Sequence, residues 1–209
     1  MKLTTFLESY EKSGIDNTYL KSYEEVGTTA LVKLPGLSIL FEEFSGAVFD
    51  DGLFKIHNKG SFYLWTELTF EYFKKFKGNS YCFAFDWVGR QYAVNYINNR
   101  PRILMLDPAT AEAFELEKNI ELFFNEDLVE YKKEMLEFDK FKHLKKKLNS
   151  KLKFEECFGF KKMLFLGGKD DLENYELIDL EVYWELNYQI YTKTKDLPGG
   201  TLIDNINIE

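Results

Sequence analysis

The chain has 209 residues, of which 45% are hydrophobic, 17% aromatic and 30% charged, and its net charge is −8. That is enough apolar material for a sizeable core in one large or two small domains, which excludes a disordered chain. No run approaches the roughly 18 uninterrupted apolar residues of a spanning helix, and an acidic balance repels nucleic acid while suiting a basic partner.

Leu3, Phe6, Leu7 and Tyr10 share one helical face, and Gly14 stops that helix. Pro35 suits the first turn of a second helix with Leu37, Leu40, Phe41 and Phe44 at the same spacing, and Gly46 stands where a C′ glycine belongs. Asp50-Asp51-Gly52 reads as a turn, and 53–58 (LFKIHN) alternates like a short strand. Leu68, Tyr72, Phe73 and Phe76 suggest a third helix, closed by Gly78-Asn79. The clearest hairpin follows, with aromatic and β-branched runs 80–87 and 90–96 joined around Val88-Gly89. Residues 102–106 (RILML) add a strand that ends at the Asp107-Pro108 turn. Successive strands with short turns imply an antiparallel sheet flanked by helices, an α+β fold.

From Asn119 the period becomes helical through Ile120, Phe123, Phe124, Leu128, Tyr131, Met135 and Phe138, as one helix or two, with Asn125 available as a second N-cap. An apolar run at 162–168 stops at Gly167-Gly168. A last helix is expected over about 179–191, with Val182, Tyr183, Leu186 and Ile190 inward and Leu197-Pro198-Gly199-Gly200 ending it. The final residues read as a tail or an edge strand. The C-terminal portion is therefore helical with a short strand, and the expected division is 1–117 and 118–209, closely packed.

Charge is unevenly placed. Residues 107–139 carry 11 acids against three bases, residues 140–153 carry seven lysines and no acid, and residues 154–209 carry 12 acids against five bases. The lysine run reads as the solvated end of a helix.

Catalytic and metal-binding patterns do not appear. Cys82, Cys157, His57 and His143 are isolated, without the spacing of a zinc site, and the cysteines sit among apolar neighbours as buried free thiols. Neither a phosphate-binding glycine loop nor a nucleophile elbow is present. No cofactor and no enzymatic role are expected. Residues 1–10 lack the apolar stretch of a signal peptide, so a reduced, cytoplasmic protein is expected. Trp87 beside Asp86 at the hairpin tip is the best candidate for an exposed aromatic anchor, because turn-adjacent residues tend to lie at the surface. Trp65 and Trp184 fall on helices.

Several segments, taken in order, resemble a known arrangement. Residues 34–58 (LPGLSILFEEFSGAVFDDGLFKIHN), 82–95 (CFAFDWVGRQYAVN) and 103–108 (ILMLDP) resemble the GAD-like domain. Residues 155–190 (EECFGFKKMLFLGGKDDLENYELIDLEVYWELNYQI) are similar to the C-terminal domain of the type VI secretion DNase-immunity family, itself distantly akin to the Smi/Knr-type superfamily. Phe158, Lys161-Lys162 and Asn58-Lys59 depart from the usual pattern. The resemblance implies a bacterial immunity protein that binds a toxin, of the basic nuclease class, and occludes its active site. The acids Glu112, Glu115, Glu117, Glu121, Glu126, Asp127 and Glu130, together with Asp86 and Trp87, are the expected contact residues. Competing readings are a regulatory scaffold for host proteins, a small-ligand module or enzyme with an unfamiliar site, and nucleic-acid binding through the 140–153 lysines.

Overall fold

A computed structural model describes residues 1–16, 31, 34–97, 100–147, 151–198 and 201. Seven strands form an antiparallel meander in sequence order: β1 (Lys12–Ile15), β2 (Ala47–Phe49), β3 (Phe54–Ile56), β4 (Ser80–Asp86), β5 (Gln91–Ile97), β6 (Arg100–Asp107) and β7 (Glu112–Leu116). The α+β class is as expected, but the sheet is larger than the alternating runs suggest. β1 and β2 are too short to show a period of two. β7 (EAFEL) carries two glutamates and reads as part of the acidic run.

Helices lie on both faces. Registers of Phe54 with Asp86, Ala84 with Tyr92, and Tyr92 with Met105 fix one face. Helix α1 (Thr4–Ser9) covers it through Phe6, whose ring meets those of Phe49, Phe54 and Phe124 at 4.8, 6.5 and 4.9 Å. The opposite face, carrying Lys55, Phe85 and Gln91, meets α3 (Lys59–Tyr72), where His57 stacks between Phe85 and Trp65. Helix α2 (Pro35–Phe44) buries Leu37, Leu40, Phe41 and Phe44, as its spacing predicts. Helix α3 begins earlier than its apolar residues suggest because Asn58 and Ser61 form a reciprocal capping box.

The stretch after β7 is one helical segment, α4, over 120–130, followed by α5 (Lys132–Met135) and α6 (Phe138–Lys145). Asn119, and not Asn125, is the N-cap, accepting from the Leu122 N–H at 3.0 Å. Asn125 lies inside a π-turn over Phe123–Asp127 and reaches back to α1, accepting from the Phe6 N–H and donating to the Lys2 carbonyl. The widened turn lets neighbouring Phe123 and Phe124 both face the core, which a regular period of 3.6 does poorly. Tyr131 is correspondingly exposed.

Beyond this, β8 (Glu156–Phe160) and β9 (Tyr175–Asp179) form a separate antiparallel pair, and α7 (Leu180–Thr194) closes the fold with Asp179 as its N-cap. The apolar run at 162–168, expected as the short C-terminal strand, is instead a 3-10 turn over Leu164–Leu166. Helix α7 turns Leu180, Tyr183, Trp184, Asn187 and Ile190 inward, whereas Val182, expected inside, is 49% exposed. The expected C-terminal tail lies outside the described residues. A continuous hydrophobic core runs from Leu3 to Trp184, so α4 to α7 pack on the meander and share its interior.

Candidate functional site

The β4–β5 hairpin tip does not reach solvent. Trp87, expected as an exposed anchor, is fully buried, and so is Asp86. A turn is exposed only if nothing caps it, and here residues 135–184 do. The Trp87 indole N–H donates to the Leu136 carbonyl at 2.6 Å, and the Trp87 carbonyl accepts from the Phe158 N–H at 2.8 Å. From α7, the Trp184 indole N–H donates to the Gly89 carbonyl at 2.7 Å. Gly89 is required at this point: its φ is +83°, and a Cβ there would stand 3.0 Å from Leu180 and 3.2 Å from the Cys157 sulfur.

Asp86 organises the tip from within. It accepts from the Val88 and Arg90 backbone N–H groups, from Arg90 Nε at 2.7 Å and from the Tyr92 hydroxyl at 3.0 Å. Burial pushes its carboxyl above the usual carboxylate range, and Arg90 beside it pulls it back. Arg90 also donates to the Met135 carbonyl at 2.8 Å and reaches Glu137 at 3.4 Å. A second inward cation, Lys55, is fully buried and donates to the carbonyls of Lys153, Phe154 and Glu156 at 2.7, 3.3 and 2.7 Å. Asp86, Trp87, Arg90 and Lys55 thus fasten the C-terminal elements onto the sheet. A lysine in an alternating strand gives no sequence signal for that role.

The acidic run divides into three groups. Glu115 and Glu117 both face Arg102, each at 3.3 Å, at the β7 edge. Glu126 and Asp127 share Lys118 at 2.9 and 2.7 Å, and Asp127 is buried, with its second oxygen lacking a hydrogen-bond donor. Glu112, Glu121 and Glu130 are exposed and enter no salt bridge among the described residues. Those three, like Glu134, which is also exposed and enters no salt bridge among the described residues, are free to meet an incoming cation without first breaking an internal pair.

Five of the seven lysines in the run are paired locally, whereas Lys146 and Lys147 are exposed and enter no salt bridge among the described residues. Lys140 pairs with Glu137 and Asp170, Lys142 with Asp139, Lys145 and Lys151 with Asp51, and Lys153 with Glu156. His57 is buried, with Ser61 and Gln91 at 3.1 and 2.8 Å, and burial holds its pKa down at about 3, so it is neutral. Both cysteines are free and buried, and burial pushes the Cys82 thiol up to about 12. No cluster of three or more metal-ligating side chains occurs among the described residues, and no helix among them is long and apolar enough to cross a membrane.

Residues 117–191 match the family model described as T6SS immunity protein Tdi1, C-terminal. That is a type VI secretion immunity family, in agreement with the resemblance carried by residues 155–190. No curated protein sequence matches the chain. The crystal structure of Atu4351 from Agrobacterium tumefaciens superposes with a TM-score of 0.61 at 16% identity, over 90% of this chain and 89% of that one. At that identity the likeness speaks for the fold.

Proposed function

We propose that the protein is a cytoplasmic immunity protein that binds a cognate toxin, a basic nuclease, and blocks its active cleft without catalysis. The match of residues 117–191 to the Tdi1 C-terminal family is the observation that carries this reading. The surface chemistry agrees with it. A nuclease is cationic where it grips phosphates, so an inhibitor that presents unpaired carboxylates can occupy the same ground. Glu112, Glu121 and Glu130 supply such carboxylates, and the Arg102 and Lys118 pairs add acids at the rim. In this reading the meander, whose segments 34–58, 82–95 and 103–108 resemble the GAD-like domain, presents its edge strand β7 and supports α4.

The test is co-purification of the tagged chain with the toxin encoded beside its gene, followed by association kinetics. A stable complex is expected, with toxin activity suppressed at equimolar ratio. Exchanging Glu112, Glu121 and Glu130 together for lysine should slow association about tenfold and flatten its salt dependence. Failure of the unaltered chain to bind the toxin sinks the immunity reading. Unchanged association in the triple variant sinks the electrostatic part alone.

A further inference from the structure

A cleft of about 270 Å³ opens where the β6–β7 edge faces the C-terminal elements, with Val88 and Arg90 at its floor. This is far more room than the roughly 15 Å³ that one water needs. Its walls are of two kinds. Met105, Phe114, Phe160 and Leu164 make them apolar, and Phe114 is 47% exposed on an edge strand, where a large ring would otherwise find cover. Asp107, Glu112, Glu137 and Asp170 make them anionic.

The charges do not cancel. Arg90 is the one cation in the lining, and it is already held by Asp86, Glu137 and the Met135 carbonyl. Lys140, behind the lining, is held between Glu137 and Asp170 at 2.6 Å each. Asp107 and Glu112 enter no salt bridge among the described residues; Asp107 accepts from the Ala109 N–H at 2.8 Å. Burial holds the Asp107 carboxyl above the usual carboxylate range even with Arg90 nearby. A small apolar ligand would leave these carboxylates desolvated without compensation, and a bare cation would leave the aromatic and thioether walls unused. A flat charged group on an apolar stem satisfies both, because guanidinium pairs carboxylates in a fixed fork while its methylenes and face lie on Phe and Met.

We propose that this cleft is the receptor for an arginine side chain of the partner protein, inserted beside β7 with its guanidinium between Asp107 and Glu112. The proposal rests on the immunity reading, and it turns a diffuse acidic face into one specific anchor point.

The test has two arms that can fail separately. In the first, the full chain is labelled at its methionine methyls, of which there are four, so Met105 reports on the cleft and Met1 serves as a remote control. The probe is the blocked tripeptide acetyl-Ser-Arg-Ser-amide, against its uncharged citrulline counterpart. The arginine peptide should move the Met105 signal saturably, leave Met1 in place, and bind about tenfold more tightly than the citrulline peptide. The Glu112→Gln/Phe114→Ser chain, altered only at exposed positions, should lose the response. Equal response to both peptides, or no saturable response, overturns the proposal.

In the second arm the neighbouring toxin is titrated against Met105→Trp, which fills the cleft, and against the exposed double variant. Both should weaken binding at least about tenfold. A toxin that binds the unaltered chain and both variants equally overturns the cleft proposal and leaves immunity standing. A toxin that binds none of them overturns the immunity reading, and the peptide arm then decides the cleft by itself.

Discussion

Replacing Lys55 with methionine tests how the two halves of the fold are held. The ammonium is fully buried, its three N–H donors meet three carbonyls of residues 153–156, and it lies 5.1 Å from the centre of the Phe85 ring. Methionine keeps the length and apolar volume and removes the donors. Stranding the three carbonyls at about 1–1.5 kcal/mol each costs about 3–5 kcal/mol. Against this stands the relief of a buried charge. Burial lowers the Lys55 pKa from 10.5 to about 8, which corresponds to about 3 kcal/mol held against the charged form. The two effects nearly offset, so the expected loss at pH 7 is about 1–2 kcal/mol, smaller than the roughly 3–5 kcal/mol usual when one partner of a buried ion pair is deleted. The pH dependence is the sharper reading. Between pH 8 and 10.5 the unfolded chain keeps the proton that the folded chain releases, so Lys55 contributes stability that rises with pH across that window. Urea unfolding followed by fluorescence of the buried Trp65, Trp87 and Trp184 supplies the assay. The gap between the original chain and Lys55→Met should widen by about 2 kcal/mol from pH 7 to pH 9.5. Taking the gap cancels the thiols and tyrosines common to both chains. A gap that stays constant or narrows refutes the reasoning that Lys55 is held as a disfavoured ammonium.

Three further outcomes are expected. Gly89→Ala should cost about 2–3 kcal/mol by urea midpoint, whereas Gly78→Ala, equally left-handed at φ +92° but with open space around it, should cost about 1 kcal/mol. Asn58→Ala removes one half of the α3 capping box and should lower stability by about 1 kcal/mol, visible as a fall of a few degrees in Tm. His57 is held neutral down to about pH 3, so from pH 6.5 downward the unfolded chain binds a proton that the folded chain refuses; stability should fall across that window, and His57→Gln should flatten the fall in urea midpoints measured at pH 7 and 4.5.

What the sequence shows of this fold follows from where its signals are local. The 3.6 spacing of Leu37, Leu40, Phe41 and Phe44 and the Val88-Gly89 turn act through neighbours in the chain, and both give the observed elements. β7 is hidden because an edge strand needs only one covered face, so Glu112, Phe114 and Glu115 break the apolar pattern. The π-turn in α4 is hidden because it answers to Asn125 bonding with residues 2 and 6, more than a hundred positions away. The site suffers most from this limit. Trp87 and Asp86 carry every local mark of an exposed tip, and only the arrival of Leu136, Phe158 and Trp184 buries them. Of the acidic run, the sequence identifies the residues but cannot separate Glu112, Glu121 and Glu130 from Asp127 and Glu126, because pairing with Arg102 or Lys118 is a tertiary fact. The cleft joins residues as far apart as Val88 and Asp170, so no window of sequence contains it.

The cap on the hairpin tip also sets an order in time. A ribosome delivers residues 80–97 long before Trp184, so the growing chain carries Trp87, Asp86 and Arg90 for most of its synthesis without the groups that will cover them. During that interval the sheet offers an open, sticky end that is sealed in stages by Leu136, Phe158 and, last, Trp184 of α7. A ribosome stalled before residue 180 therefore releases a chain whose hairpin tip stays uncovered, which is a liability for aggregation.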